Sequence, residues 1–143
     1  MASIPLHYVD LRTFCYATED ADRVETALRR FLPEEFEIER ATTEGHMGDR
    51  ILVLSARLEN AADVRVALDA LADLPESDRE RLIDELDERV DDNTAFFMTL
   101  DKQAAYNGSV SLGDGITFRA KIEAYPAKKA AAVENMREVL EQL

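Results

Sequence analysis

The chain is poor in the residues that carry covalent and metal chemistry. It has one cysteine, Cys15, and two histidines, His7 and His46. A lone cysteine excludes an internal disulfide and any cysteine-cluster metal site. There is no tryptophan, and only five glycines and four prolines punctuate the 143 residues. No Gly-rich phosphate loop, nucleophile elbow or metal-ligand spacing occurs. No low-complexity stretch, linker or internal repeat divides the chain. No apolar run approaches the roughly 18 residues of a membrane span. Met1 to His7 lack a basic start followed by an apolar stretch, so no secretory leader is expected and the expected compartment is the cytoplasm.

Lysine is scarce as well. The 17 bases are 13 arginines and four lysines; set against 30 acids they give a formal net charge of −13. Taken alone, that opposes a nucleic-acid partner, because phosphate binding runs on Lys and Arg. The acids are scattered over expected helix surfaces, however, and form no block or tail. A scattered carboxylate coat with few lysines fits a cytoplasm of molar salt, where the Debye length is about 3 Å and repulsion from RNA is nearly abolished at long range. The charge is also uneven. Residues 19–101 hold 24 acids and 10 bases, whereas residues 102–133 hold Lys102, Arg119, Lys121, Lys128 and Lys129 against Asp114 and Glu123. All four lysines fall in that window, which is the one candidate basic patch. A chance cluster on a solvated face is the plain alternative.

What is present reads as one folded domain over residues 1–143, with 46% apolar residues and length enough for a real core. Residues 8–17 alternate as a strand, with Val9, Leu11, Thr13, Cys15 and Ala17 on one face and Tyr8, Asp10, Arg12, Phe14 and Tyr16 on the other. Thr18 is the expected cap of a helix carrying Val24, Ala27, Leu28, Phe31 and Leu32, which Pro33 stops. A short strand is expected at Phe36 to Ala41, a turn at Gly45 to Asp49, and a central strand at Ile51 to Leu58. Asn60 caps a helix with Val64, Ala67, Leu68 and Leu71 inward. Ser77 and Glu80 form a capping-box pattern ahead of Leu82, Ile83, Leu86 and Val90. Residues 94–100 form a strand. Gly113-Asp114-Gly115 predicts a hairpin between strands 109–112 and 116–124. On the second of these, Ile116, Phe118, Ala120 and Ile122 face one way. Thr117, Arg119, Lys121 and Glu123 face the other. Pro126 is expected to open a final helix with Val133, Met136, Leu140 and Leu143 inward. The sum is an α+β domain, an antiparallel-rich sheet with helices packed on one face.

The candidate chemistry is polar rather than catalytic. Cys15, on an apolar strand face, reads as a buried thiol. His46 lies between Gly45 and Gly48, where the backbone can turn tightly and approach a ligand; a histidine that merely ties the turn is the structural alternative. Lys102, Gln103 and Tyr106 follow a strand end and offer a mobile cation, an amide and a ring with a polar tip. These groups suit phosphate contact, base-edge hydrogen bonding and stacking, although an ordinary loop with Asp101 and Lys102 pairing locally explains them too. Arg119 and Lys121 share a strand face. Arg12 with Tyr8, Phe14 and Tyr16 makes an aromatic and cationic face of the kind that stacks single-stranded bases, unless a helix covers it.

Several segments resemble an archaeal family. They are Tyr16-Ala17-Thr18-Glu19-Asp20, Glu44-Gly45-His46-Met47-Gly48-Asp49, Asp101-Lys102-Gln103-Ala104-Ala105-Tyr106 with Gly108, and Ile116 to Ile122 running into Tyr125-Pro126. The match is to a small archaeal RNA-binding-domain family, long labelled a domain of unknown function and described as a predicted exosome subunit. The resemblance implies an α+β fold like that of the large-subunit ribosomal protein five, RNA binding, and a place beside the exosome. With the acid coat it implies a haloarchaeal member. Met47, Asp49 and Thr99 depart from the family pattern, and each makes the site less basic.

The sequence therefore predicts a non-catalytic RNA-binding domain without cofactor or metal. Lys102, Arg119 and Lys121 are expected on phosphates, and Gln103, Tyr106 and His46 on bases, with Arg12 as a lesser contact. A protein–protein module of an RNA-processing or translation complex is the alternative, docking through its sheet face or the acidic helix 76–91. An enzyme built on His46, Asp49 and Asp101 is the third. An unpaired edge strand would permit a homodimer.

Overall fold

The structure, a computed structural model, describes residues 4–143; the leader reading at Met1–Ser3 lies outside them. The elements in chain order are β1 (Leu6–Cys15), α1 (Ala21–Arg29), β2 (Glu39–Glu44), β3 (Arg50–Leu58), α2 (Ala61–Leu71), α3 (Glu76–Asp84), α4 (Leu86–Arg89), β4 (Ala95–Asp101), α5 (Lys102–Tyr106), β5 (Gly115–Ile122) and α6 (Lys129–Glu141). The strands form one sheet in the order β2-β3-β1-β5-β4, and every neighbouring pair is antiparallel. The α+β expectation holds.

Period-two alternation decides which face is covered. On β1, Val9, Leu11, Thr13 and Cys15 are buried, while Tyr8, Asp10, Arg12 and Phe14 are not. On β5, Ile116, Phe118, Ala120 and Ile122 are buried. These side chains meet Val24, Leu28, Val64, Leu71, Leu86 and Met136 from the helices in one contiguous core. Burial of a large aliphatic side chain there contributes about 1.5–3 kcal/mol. With the helices collected on that face, the other stays open.

Several expected boundaries move, each for a local reason. A turn from Tyr16 to Glu19 precedes α1, so Asp20 takes the cap from Thr18, its carboxylate accepting from the Asp22 N–H at 2.9 Å. Ala17 lies in that turn and is exposed. The strand expected at 36–41 begins at Glu39, because the Phe36 carbonyl accepts from Arg29 at 3.0 Å and Ile38 turns into the core. The capping box at Ser77 is unused. Pro75 sits one residue before the helix with extended ψ, and its carbonyl takes the N–H groups of Asp78 and Arg79. The Gly113-Asp114-Gly115 hairpin does not form. Residues 109–114 instead wrap the end of β4, with bonds from Asp101 N–H to Ser111, Lys102 N–H to Asp114 and Gly113 N–H to Thr99. The final helix starts at Lys129 rather than at Pro126, whose carbonyl closes a turn with the Lys128 N–H at 2.7 Å.

The two sheet edges differ. On β4 the outward backbone groups are largely occupied. Ala95 is bonded through its N–H and carbonyl to Asp91, and the Phe97 carbonyl accepts from Arg89. Gly113 bonds Thr99 and Ser111 bonds Asp101. On the far side, β2 is exposed at every residue.

Candidate nucleic-acid interface

The register of the open face brings cations and aromatics into neighbouring rows. Asp10 stands opposite Arg57 on β3 and Arg119 on β5, and Arg119 stands opposite Phe97 on β4. The next row in one direction runs Ser55, Arg12, Thr117 and Thr99. The row in the other direction places Tyr8 beside Lys121. Each of three rings carries a guanidinium: Arg57 over Tyr8 at 4.2 Å, Arg119 over Phe97 at 5.0 Å and Arg12 over Phe14 at 5.6 Å. Phe14 is half-buried, and Tyr16 at the strand end is exposed.

Charge on this face is only partly spent internally. Arg57 holds Asp10 through two bonds of 2.7 and 2.9 Å, and the bonded carboxylate pushes the guanidinium pKa further up. Lys121 donates to the Asn93 carbonyl. Arg12 and Arg119 form no ion pair among the described residues, although Asp10 is Arg119's cross-strand neighbour. Both are exposed. They line a shallow cavity of about 540 Å³ together with Ser55 and Thr117, and Glu37, Glu39 and Glu59 form its acidic margin.

Lys102 sits elsewhere and is committed. Its Nζ donates to the Phe14 carbonyl at 2.9 Å and to Glu19 at 2.8 Å, and its side chain is only 19% exposed. Burial alone would raise the Glu19 pKa, but the Lys102 and Tyr16 hydrogen bonds and the Lys102 charge outweigh it and hold the carboxyl below its usual value. The neighbouring glycines explain the motif. A Cβ on Gly115, whose φ is +118°, would lie 2.5 Å from the Lys102 Cβ, and one on Gly113 would lie 2.6 Å from the Asp101 carboxylate. Asp101 also caps α5 by accepting from the Ala104 N–H at 2.8 Å. The Asp101-Lys102 junction therefore works as a clamp that joins β1, β4 and β5 to the turn before α1.

Gln103 and Tyr106 are exposed on α5. They border a second cavity of about 290 Å³ with Thr18 and Arg23, where the Arg23 guanidinium lies 5.6 Å from the Tyr106 ring. His46 is at the tip of the β2–β3 hairpin, in a turn closed by Gly45 N–H to Asp49 at 2.6 Å, and it lines neither cavity. Asp101 ends β4, at the opposite edge of the sheet from that tip, so the His46, Asp49 and Asp101 constellation is not assembled. Cys15 is a buried thiol, its pKa raised first by burial. No group of three His, Cys, Asp or Glu suited to a metal occurs among the described residues. The expected basic window splits three ways, with Arg119 and Lys121 on the open face, Lys102 in the clamp, and Lys128 and Lys129 at the start of α6. Arg57 and Phe97 escaped the sequence reading. Their signals were a cation breaking the apolar run of β3 and an aromatic at an outward position of β4.

Comparison with known proteins shows the family. The sequence profile of a family described as RNA binding matches residues 8–122. A Pyrococcus abyssi protein named as an RNA-binding protein is 39% identical over 144 aligned residues, 94% of each chain. Among solved structures, a protein of Archaeoglobus fulgidus superposes with a TM-score of 0.84 at 30% identity, covering 94% of this chain and 99% of its own. One from Methanothermobacter thermautotrophicus gives 0.78 at 36% identity, covering 94% and 98%. Profile and relatives both extend over most of the sequence, and the chain belongs to this RNA-binding family of archaeal proteins.

Proposed function

We propose that the protein is a non-catalytic RNA-binding protein and that RNA lies on the open face of the sheet. One observation carries the proposal: Arg12 and Arg119, exposed and free of ion pairs among the described residues, stand over aromatic rings at the centre of that face. Two cations without an ion pair among the described residues, in a chain of net charge −13, are placed to meet anions. Lys121 adds charge beside them. Lys102 contributes by holding the end of β1 in place, and Gln103 and Tyr106 offer a smaller second contact. The scattered acids and scarce lysines support a salt-rich archaeal cytoplasm as the setting, and work beside the exosome or another RNA-processing assembly is part of the same proposal.

The test is an RNA titration from low to molar potassium chloride with Arg12→Ala/Arg119→Ala against the parent chain. Each lost phosphate contact should lower the log–log salt slope by about 0.7–0.9. The double variant is therefore expected to bind more weakly and with a slope flatter by about 1.5. Unchanged affinity and slope would refute the site. One feature favours a protein partner instead. Met47 at the hairpin tip is 84% exposed, which suits protein contact. A partner retained after nuclease treatment and lost on Met47→Ser would establish that second reading.

A further inference from the structure

Resting on that reading, we propose that the open face selects single-stranded RNA and binds it by stacking an unpaired base against the Phe97–Arg119 pair. Phe97 is 36% exposed on β4. The Arg119 guanidinium lies over its ring, 5.0 Å from the centroid, so the pair offers a flat cation backed by an apolar plate. Base faces are available to such a plate only when unstacked, whereas an A-form duplex presents phosphates, 2′-hydroxyls and base edges. The aromatic content of the face would be idle against a duplex.

The polar groups agree with this choice. Thr99, Thr117 and Ser55 lie in the row beside Arg12, which sets hydroxyls within reach of a splayed base or a 2′-hydroxyl. The charge distribution limits the footprint. Glu37 and Glu39 at the start of β2 and Glu59 just past β3 fence the cavity, so a phosphate chain is steered toward β1, β5 and β4. Those three adjacent strands at about 4.8 Å spacing span about 10 Å, a short site of roughly two or three bases. A duplex wide enough to be shape-read over about 16 base pairs would press its phosphates onto the acidic margin. Stacking releases no counterions, so this part of the affinity persists in molar salt while phosphate contacts fade.

The experiment is fluorescence anisotropy on the full chain. One probe is a short unstructured RNA that carries a fluorescent purine analogue. The other is a blunt RNA duplex of about 16 base pairs. Phe97→Leu keeps an apolar side chain at this edge position, and its fold is checked by circular dichroism. The proposal expects tighter binding of the single strand, quenching of the analogue on binding, and a loss of about tenfold or more in Phe97→Leu. It also expects no change of salt slope in that variant, whereas Arg119→Gln loses both affinity and slope. Equal or tighter duplex binding would overturn the proposal and leave RNA binding on this face standing. Unchanged single-strand affinity in Phe97→Leu would do the same. Binding of neither RNA would remove the underlying reading and this inference together.

Discussion

Replacing Lys102 with methionine separates two roles open to a lysine beside a nucleic-acid surface. If it is a structural clamp, the variant loses stability; if it is a phosphate contact, the variant loses affinity. Methionine keeps most of the aliphatic stem, so the packing against Gly115 survives. What disappears is one bond to the Phe14 carbonyl and one to Glu19, at 2.9 and 2.8 Å. Bonds to charged groups contribute about 1.5–3 kcal/mol net each. Glu19 retains the Tyr16 N–H at 3.1 Å and is 30% exposed, so water recovers part of the loss and the lower half of that range applies. The expected cost is about 3–4.5 kcal/mol, against a total stability on the order of 5–15 kcal/mol. The melting temperature should fall by about 10 °C.

Acid titration adds a second signature to that variant. The folded-state pKa of Glu19 lies below its unfolded value, so the pair stabilises fully above the ordinary glutamate range. Its contribution is lost as the pH falls through the lowered folded value. Parent stability should therefore drop across that window, and the Lys102→Met curve should be flatter there. Urea midpoints at several pH values, with an RNA titration of the folded variant, measure all three quantities. An unfolding free energy unchanged to within about 0.5 kcal/mol together with a tenfold loss of RNA affinity would refute the clamp and return Lys102 to the phosphate surface.

Two further substitutions probe the same junction. Gly115→Ala combines a φ of +118° with a Cβ 2.5 Å from that of Lys102, so backbone strain and overpacking together should cost about 3 kcal/mol or more by urea denaturation; a near-neutral result would mean that the clamp is loose. Thr13→Val removes the hydroxyl that donates to the Gly115 carbonyl at 2.6 Å inside the core, and should cost about 1–2 kcal/mol with no effect on RNA binding per folded molecule. A stabilised Thr13→Val chain would show that the carbonyl finds another donor.

Much of the scaffold was legible because its signals are local. The alternation of β1 and β5, the Asn60 cap and the inward stripe of α2 each depend on residues a few positions apart. The failures share a different cause. The Gly113-Asp114-Gly115 run carries the chemistry of a tight hairpin, but those glycines serve close approach to Asp101 and Lys102, neighbours a dozen residues upstream whose packing the turn pattern does not encode. Lys102 looked like a mobile cation because its partners, Phe14 and Glu19, lie 88 and 83 residues away. The open face was half visible. Arg12 and Arg119 were readable as outward residues on separate strands, but only the pairing through Asp10 and Thr117 sets them in adjacent rows. Arg57 and Phe97 join them through strands that the sequence reading had not aligned.

The unequal edges of the sheet bear on self-association. Growth of a sheet by strand addition needs a free ladder on each new copy, and run-on fibres need two. Here β4 has spent its outward ladder on Asp91, Arg89, Ser111 and Gly113, and only β2 still offers one. Two copies that met through β2 would close each other off, since neither could recruit a third by the same means. The asymmetry of the two edges thus caps growth by strand addition, whatever the surroundings.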